Sequence, residues 1–170
     1  MTAALETKPT LEGIFRDHLA FLWRILRYMG VPDADREDVA QDVLLVVQVQ
    51  LRRYEERGAL RSWLYAITRR VVADHRHRAR FRNEMVRDVL PEVGKDEQGR
   101  LEARSHLSRL DDALDLVSPD QRRVFLLYEV EGMSMPEIAD ALGAPLQTCY
   151  SRLNAARTRV TEAFATEEAG

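Results

Sequence analysis

Gln147, Tyr150, Ser151, Asn154 and Thr158 recur at helical spacing, flanked by Arg152, Arg157 and Arg159, and the face they make carries no acid. The chemistry open to such a set is non-covalent. Amides and hydroxyls match the donor and acceptor pattern on base edges, and guanidinium groups hold phosphate. Cys149, Leu153, Ala156 and Val160, at spacings of four, three and four, give the same helix a buried stripe on its other side. A short polar helix held from behind is what duplex DNA requires of a major-groove reader. The plainer alternative is a helical hairpin with a solvated basic face, and these residues alone leave it open.

The elements that must hold this helix are also legible. Ser134 caps a preceding helix, and Glu137 three residues on completes a capping box. Ile138, Ala141 and Leu142 give that helix one apolar face, Gly143 ends it, and Pro145 suits the first turn of the next. Ser118-Pro119-Asp120-Gln121 is another helix start, continued by Val124, Phe125, Leu127 and Tyr128 as far as Gly132. Leu107, Leu110, Leu114 and Val117 place a helix before it. The C-terminal half therefore reads as a bundle of about four helices.

The N-terminal half is helical too. Phe15, Leu19, Leu22 and Leu26 space one stripe, ended by Gly30-Val31-Pro32. Asp33 or Asp35 can cap a second helix, with Val39, Val43, Val46 and Val47 inward. Arg57-Gly58 interrupts the pattern, and a third helix follows from about Leu60 with Leu64, Ile67 and Val71 inward. Between Asn83 and Arg100 periodicity is poor and Pro91, Gly94 and Gly99 intervene, which reads as a linker with some helix around Met85 to Leu90. The expected fold is all-α: two small helical domains, 1–82 and 106–170, joined by a flexible linker, 83–105, with the second domain ending in a helix-turn-helix.

Charge is unevenly placed. The 170-residue chain has a net charge of −3, so it is no uniformly basic nucleic-acid coat. From Arg52 to Arg82 there are ten arginines against three acids, a net of +7. From Asp33 to Asp42 there are five acids against Arg36, a net of −4. An acidic patch beside a basic one points to two partners on one domain.

No catalytic constellation or phosphate-cradling glycine loop stands out, and no cofactor is expected. His75 and His77 are two apart on a helix, so they point about 200° apart and cannot share a metal. Asp35, Glu37, Asp38 and Asp42 lack calcium-loop spacing and sit where a helix start favours acids in any case. The single cysteine, Cys149, excludes an internal disulfide and falls on the buried stripe. No signal-peptide pattern opens the sequence, and the apolar run Val43 to Val47 is far too short to cross a membrane. A cytoplasmic protein without membrane insertion is the expectation.

Two blocks carry a resemblance. DREDVAQDVLLVV at 35–47, followed by RSWLYAITRRVVADHRHRAR at 61–80, resembles region 2 of the extracytoplasmic-function sigma factors of the sigma-70 family. SPDQRRVFLLYEVEGMSMPEIADALGAPLQTCYSRLNAARTRV at 118–160 resembles region 4. The resemblance implies a non-enzymatic initiation factor that binds core RNA polymerase, reads −35 duplex and melts the −10 element. It implies that Glu37, Asp38, Gln41 and Asp42 dock on the polymerase clamp helices. It assigns the −10 element to Tyr54, Arg57, Tyr65, Arg69, Arg70, Arg76, Arg78 and Arg80, with arginines on single-strand phosphates and Tyr65 as a stacking surface. Trp63, beside the inward stripe, is expected to pack in the core. For the −35 element, Thr148, Arg152 and Arg159 suit phosphates, and Gln147, Tyr150, Ser151 and Asn154 suit base edges. An anti-sigma factor is implied as a further partner.

Four positions depart from the family pattern. Arg70 stands where asparagine is usual and Arg76 where leucine is common. Tyr150 and Ala155 stand where basic residues are usual or frequent. A helix-turn-helix repressor or activator binding duplex DNA as a dimer is the competing class, but it has no need of the 35–80 block. An anti-sigma or adaptor protein would not need two basic DNA faces.

Overall fold

The computed structural model describes residues 9–55, 59–87 and 106–168, and every regular element in them is helical. The chain divides into two compact units between Arg80 and Phe81. The first holds α1 (Leu11–Tyr28), α2 (Asp33–Gln50) and most of α3 (Leu60–Arg87); the second holds α4 (His106–Leu114), α5 (Pro119–Phe125), α6 (Met135–Leu142) and α7 (Leu146–Glu168). α3 continues through the first residues of the span 83–105 read as linker, consistent with the helix expected near Met85; residues 88–105 lie outside the described residues.

In the first unit Ile14, Phe21, Leu22, Ile25 and Leu26 of α1 meet Val39, Ala40, Val43 and Val47 of α2 and Leu64, Ile67, Val71 and Val72 of α3 in one core. The expected α1 stripe was rotated: Phe15 is 46 % exposed, while its neighbour Ile14 is buried. Thr10, not an acid, caps α1, accepting from the Gly13 amide at 3.1 Å. Neither Asp33 nor Asp35 caps α2. Pro32 occupies the cap without a side-chain bond, and the two acids lie in the first turn, where the helix dipole favours them. Arg36 reaches back to the Val31 carbonyl at 2.9 Å and pairs with Asp33.

The second unit matches its local signals closely. Ser118–Gln121 and Ser134–Glu137 both form complete capping boxes. Gly143 adopts the left-handed conformation, φ 61°, at the end of α6. Pro145 lies just before α7, its carbonyl accepting from the Cys149 amide at 3.1 Å. α5 does not stop at Phe125 but runs on as a wider π turn, Leu126–Val130. Cys149, Leu153, Ala156 and Val160 of α7 are buried, as their spacing required, and α7 packs on α4, α5 and α6.

Candidate nucleic-acid interface

α7 is built by opposition. With its four stripe residues in the core, the other side turns outward: Gln147, Tyr150, Ser151, Asn154, Thr158 and Arg159 are exposed and Thr148 is half-buried. The Thr158 hydroxyl donates to the Asn154 carbonyl at 3.1 Å, leaving the Asn154 side chain outward on the polar face.

Two of the three arginines of this helix are engaged. Arg152 donates to the Asp120 carboxylate at 2.8 Å and its side chain is only 29 % exposed. The sequence reading gave Arg152 to phosphate; the structure ties it to the start of α5. Arg157 donates to Glu129 at 2.6 Å, with its guanidinium 5.3 Å from the Tyr128 ring centre. Arg159, the third, is exposed on the polar face.

The first unit carries a second surface. Arg69, Arg70, Arg76 and Arg80 are exposed along α3, and by helical geometry Arg69, Arg76 and Arg80 fall within about 40° of one another. Arg76 bonds the Met29 carbonyl at the end of α1, its guanidinium beside the left-handed Gly30. It therefore closes a helix end as well as adding charge. Arg78 lies on the flank facing α2 and reaches Asp42 at 3.2 Å. His75 similarly meets Asp35 at 3.2 Å.

Tyr65 needs correction. It is 2 % exposed, buried with the core of its unit, so it offers no stacking face. Trp63, expected in the core, is only half-buried, and its ring centre lies 4.7 Å from that of Tyr54. Tyr54 is half-buried at the end of the short turn after α2. Arg57 lies outside the described residues.

α2 presents a third surface. Glu37, Asp38 and Gln41 are exposed and Asp42 is half-buried beside them. The same outward stripe continues into Leu45 and Val49, 60 % and 75 % exposed, which the sequence reading missed. A signal was present: Val43 to Val47 is apolar all round the helix, more than one buried face uses.

Known proteins decide what carries these surfaces. The sigma-70 region 2 family matches residues 14–82, and the sigma-70 region 4 family matches residues 107–160. The SigC extracytoplasmic-function sigma factor of Mycobacterium tuberculosis is 30% identical over 158 residues, covering 92% of this chain and 84% of its own. The chain is an extracytoplasmic-function sigma factor of the sigma-70 family. SigL of M. tuberculosis is 31% identical over 162 residues, covering 89% of this chain and 87% of the relative. Among solved structures, the sigma factor RpoE of Bartonella quintana, determined with the anti-sigma factor NepR, shares the fold with a TM-score of 0.67. It is 24% identical, and the match covers 91% of this chain and 96% of that one. CnrH, determined with the cytosolic domain of CnrY, gives 0.66 at 24% identity over 92% and 88%. As a sigma factor the protein directs core RNA polymerase to promoters. No described helix is long and apolar enough to cross a membrane.

Proposed function

We propose how the labour of a sigma factor is divided among these three surfaces. The stripe Glu37, Asp38, Gln41, Asp42, Leu45 and Val49 docks core polymerase: acids steer it to a basic partner, and the exposed leucine and valine give an apolar contact. Arg69, Arg70 and Arg80 hold the non-template strand once the −10 element opens, while Arg78, on the opposite side of α3, is tied to Asp42. Tyr54 and Trp63, whose rings meet at a tilt of 50°, are the aromatic pair assigned to that strand. On α7, Gln147, Tyr150, Ser151 and Asn154 read base edges of the −35 duplex, and Thr148 and Arg159 hold its phosphates. The observation that carries this reading is the segregation of side chains: acids with apolar residues on α2, arginines on α3, uncharged polar groups on α7.

Such a factor works in the cytoplasm, without catalysing a reaction of its own. An anti-sigma factor is the natural antagonist, because all three surfaces stay exposed; the solved relatives with NepR and CnrY support that proposal. The experiment is transcription reconstituted from purified core polymerase, this chain and promoters of its source genome. The expected result is initiation that depends on this chain and on both promoter elements. Initiation unaffected by substitutions across all three surfaces would overturn the division proposed.

A further inference from the structure

The pose of a reading helix matters as much as its side chains, since an error of about 1 Å at a base edge breaks a hydrogen bond. α7 packs on α5, and also on α4 and α6, with its small and branched residues Cys149, Leu153, Ala156 and Val160 buried. Such a smooth apolar contact resists separation but opposes sliding and rolling only weakly. Two ion pairs lie beside it. Near the start of α5, one Asp120 oxygen accepts from Arg123 on its own helix and the other accepts from Arg152 of α7, both at 2.8 Å. At the other end, on the π turn, Glu129 accepts from Arg157 at 2.6 Å, with Tyr128 beneath the guanidinium.

The π turn widens the helix and resets the angular position of everything after it. Glu129 thereby meets α7 although it follows Asp120 by nine residues, while its partner Arg157 follows Arg152 by five. Two pins at separate heights on both helices fix translation and roll together. We propose that Asp120 with Arg152, and Glu129 with Arg157, are positioning pairs that set the register of α7 on −35 DNA, and that Arg152 is not a phosphate contact. This rests on the assignment of the outer face of α7 to the −35 duplex.

Chemistry supports the distinction. A phosphate approaching Arg152 would meet the Asp120 carboxylate as well, and like charge repels it. The Asp120–Arg152 pair is also partly screened from solvent, where an ion pair holds geometry better than at a fully exposed site.

The test compares Arg152→Ala, the near-isosteric Asp120→Asn, the double variant, and the exchanged pair Asp120→Arg with Arg152→Asp. Each is assembled into holoenzyme and assayed on a library randomised across the −35 element at several salt concentrations. Each single variant should lower initiation from −35-dependent promoters by about tenfold, the double variant by no more than that, and the exchanged pair should recover most of the loss. Base preference should blur at several adjacent positions, and the slope against salt should stay as in the parent. If Asp120→Asn is neutral or activating while Arg152→Ala weakens binding and makes the salt slope shallower by about one contact, Arg152 is a phosphate ligand and the proposal is overturned. Should Arg152→Ala fail to fold, Asp120→Asn decides alone, since it keeps the shape and removes the charge. A parent protein indifferent to the randomised −35 sequence would instead overturn the assignment of α7, a separate failure.

Discussion

At the scale of single residues, the side chains the sequence misplaced are those whose roles depend on neighbours distant in sequence. Tyr65 looks like a stacking residue beside Arg69 and Arg70, but burial makes it core. Tyr65→Ala should therefore cost about 3–5 kcal/mol of stability, as truncation of a buried aromatic does, read from chemical denaturation. A stable Tyr65→Ala protein with altered −10 preference would return the ring to the DNA. His18 gives a second prediction. It is half-buried against Ile14, Leu22, Val43 and Leu64, and burial first, then the Arg61 charge, pushes its pKa below the usual value, with Asp17 opposing. The unfolded chain then binds a proton more readily than the folded one. Stability from this group is full above the ordinary histidine value of about 6.5 and declines as pH falls from there toward the lowered folded value. The melting temperature should fall between neutral pH and mildly acid pH, and His18→Gln should lose part of that slope. An unchanged slope in the variant would assign the proton linkage to another group.

At the scale of elements, legibility followed the range of the interaction. The capping boxes at Ser118 and Ser134 and the stop at Gly143 are written within four residues and were read correctly. The α1 stripe was set on Phe15 rather than Ile14, because one residue turns a helix by only 100° and the sequence does not say which edge of a broad apolar face meets the core. The ties between α7 and α5 span 32 and 28 residues, and no local pattern announces them. The α6 stop has a measurable weight. No atom lies within 4 Å of where a Cβ would stand on Gly143, so Gly143→Ala pays no clash and loses only what the left-handed backbone imposes, about 1–2 kcal/mol. Ser134→Ala, at the other end of α6, should lose about 0.5–2 kcal/mol. Thermal unfolding measures both, and a neutral Gly143→Ala would mean the turn relaxes. On α2, Asp38→Lys with Asp42→Lys should leave the fold nearly intact. Both lie beyond the first turn of α2, where the helix dipole has little hold on a side-chain charge. Asp42 surrenders an ion pair to Arg78 whose partners are both more than a third exposed, worth about 0–1 kcal/mol. Capture by core polymerase should nonetheless fall sharply. Unchanged capture of a well-folded variant would move the docking surface off α2.

At the scale of the whole molecule, the question is where promoter specificity resides. The net charge of −3 gives no long-range pull toward DNA, so binding must come from local contacts. On α7 two of the three arginines are bound to Glu129 and Asp120, which leaves Arg159 as the main cation on the reading face. Each phosphate contact adds about 0.9 to the slope of log affinity against log salt, and duplex affinity at physiological salt grows with their number. A face with so few contacts should bind promoter duplex little better than nonspecific sequence, with a dissociation constant of about 10⁻⁴–10⁻⁶ M. The α3 arginines add nothing to this while the DNA is closed, because on our assignment their ligand is the separated strand. Polymerase changes the sum: it supplies its own DNA contacts and makes opening possible, so weak readings at the two elements combine on one template. Fluorescence anisotropy with labelled promoter duplex should therefore show weak, nearly sequence-independent binding by the free chain and tight, promoter-specific binding after core polymerase is added. The salt slope should be shallow for the free chain and steep for the holoenzyme. Nanomolar, sequence-specific duplex binding by the free chain would place specificity in this subunit alone, and would require phosphate contacts on α7 beyond Thr148 and Arg159.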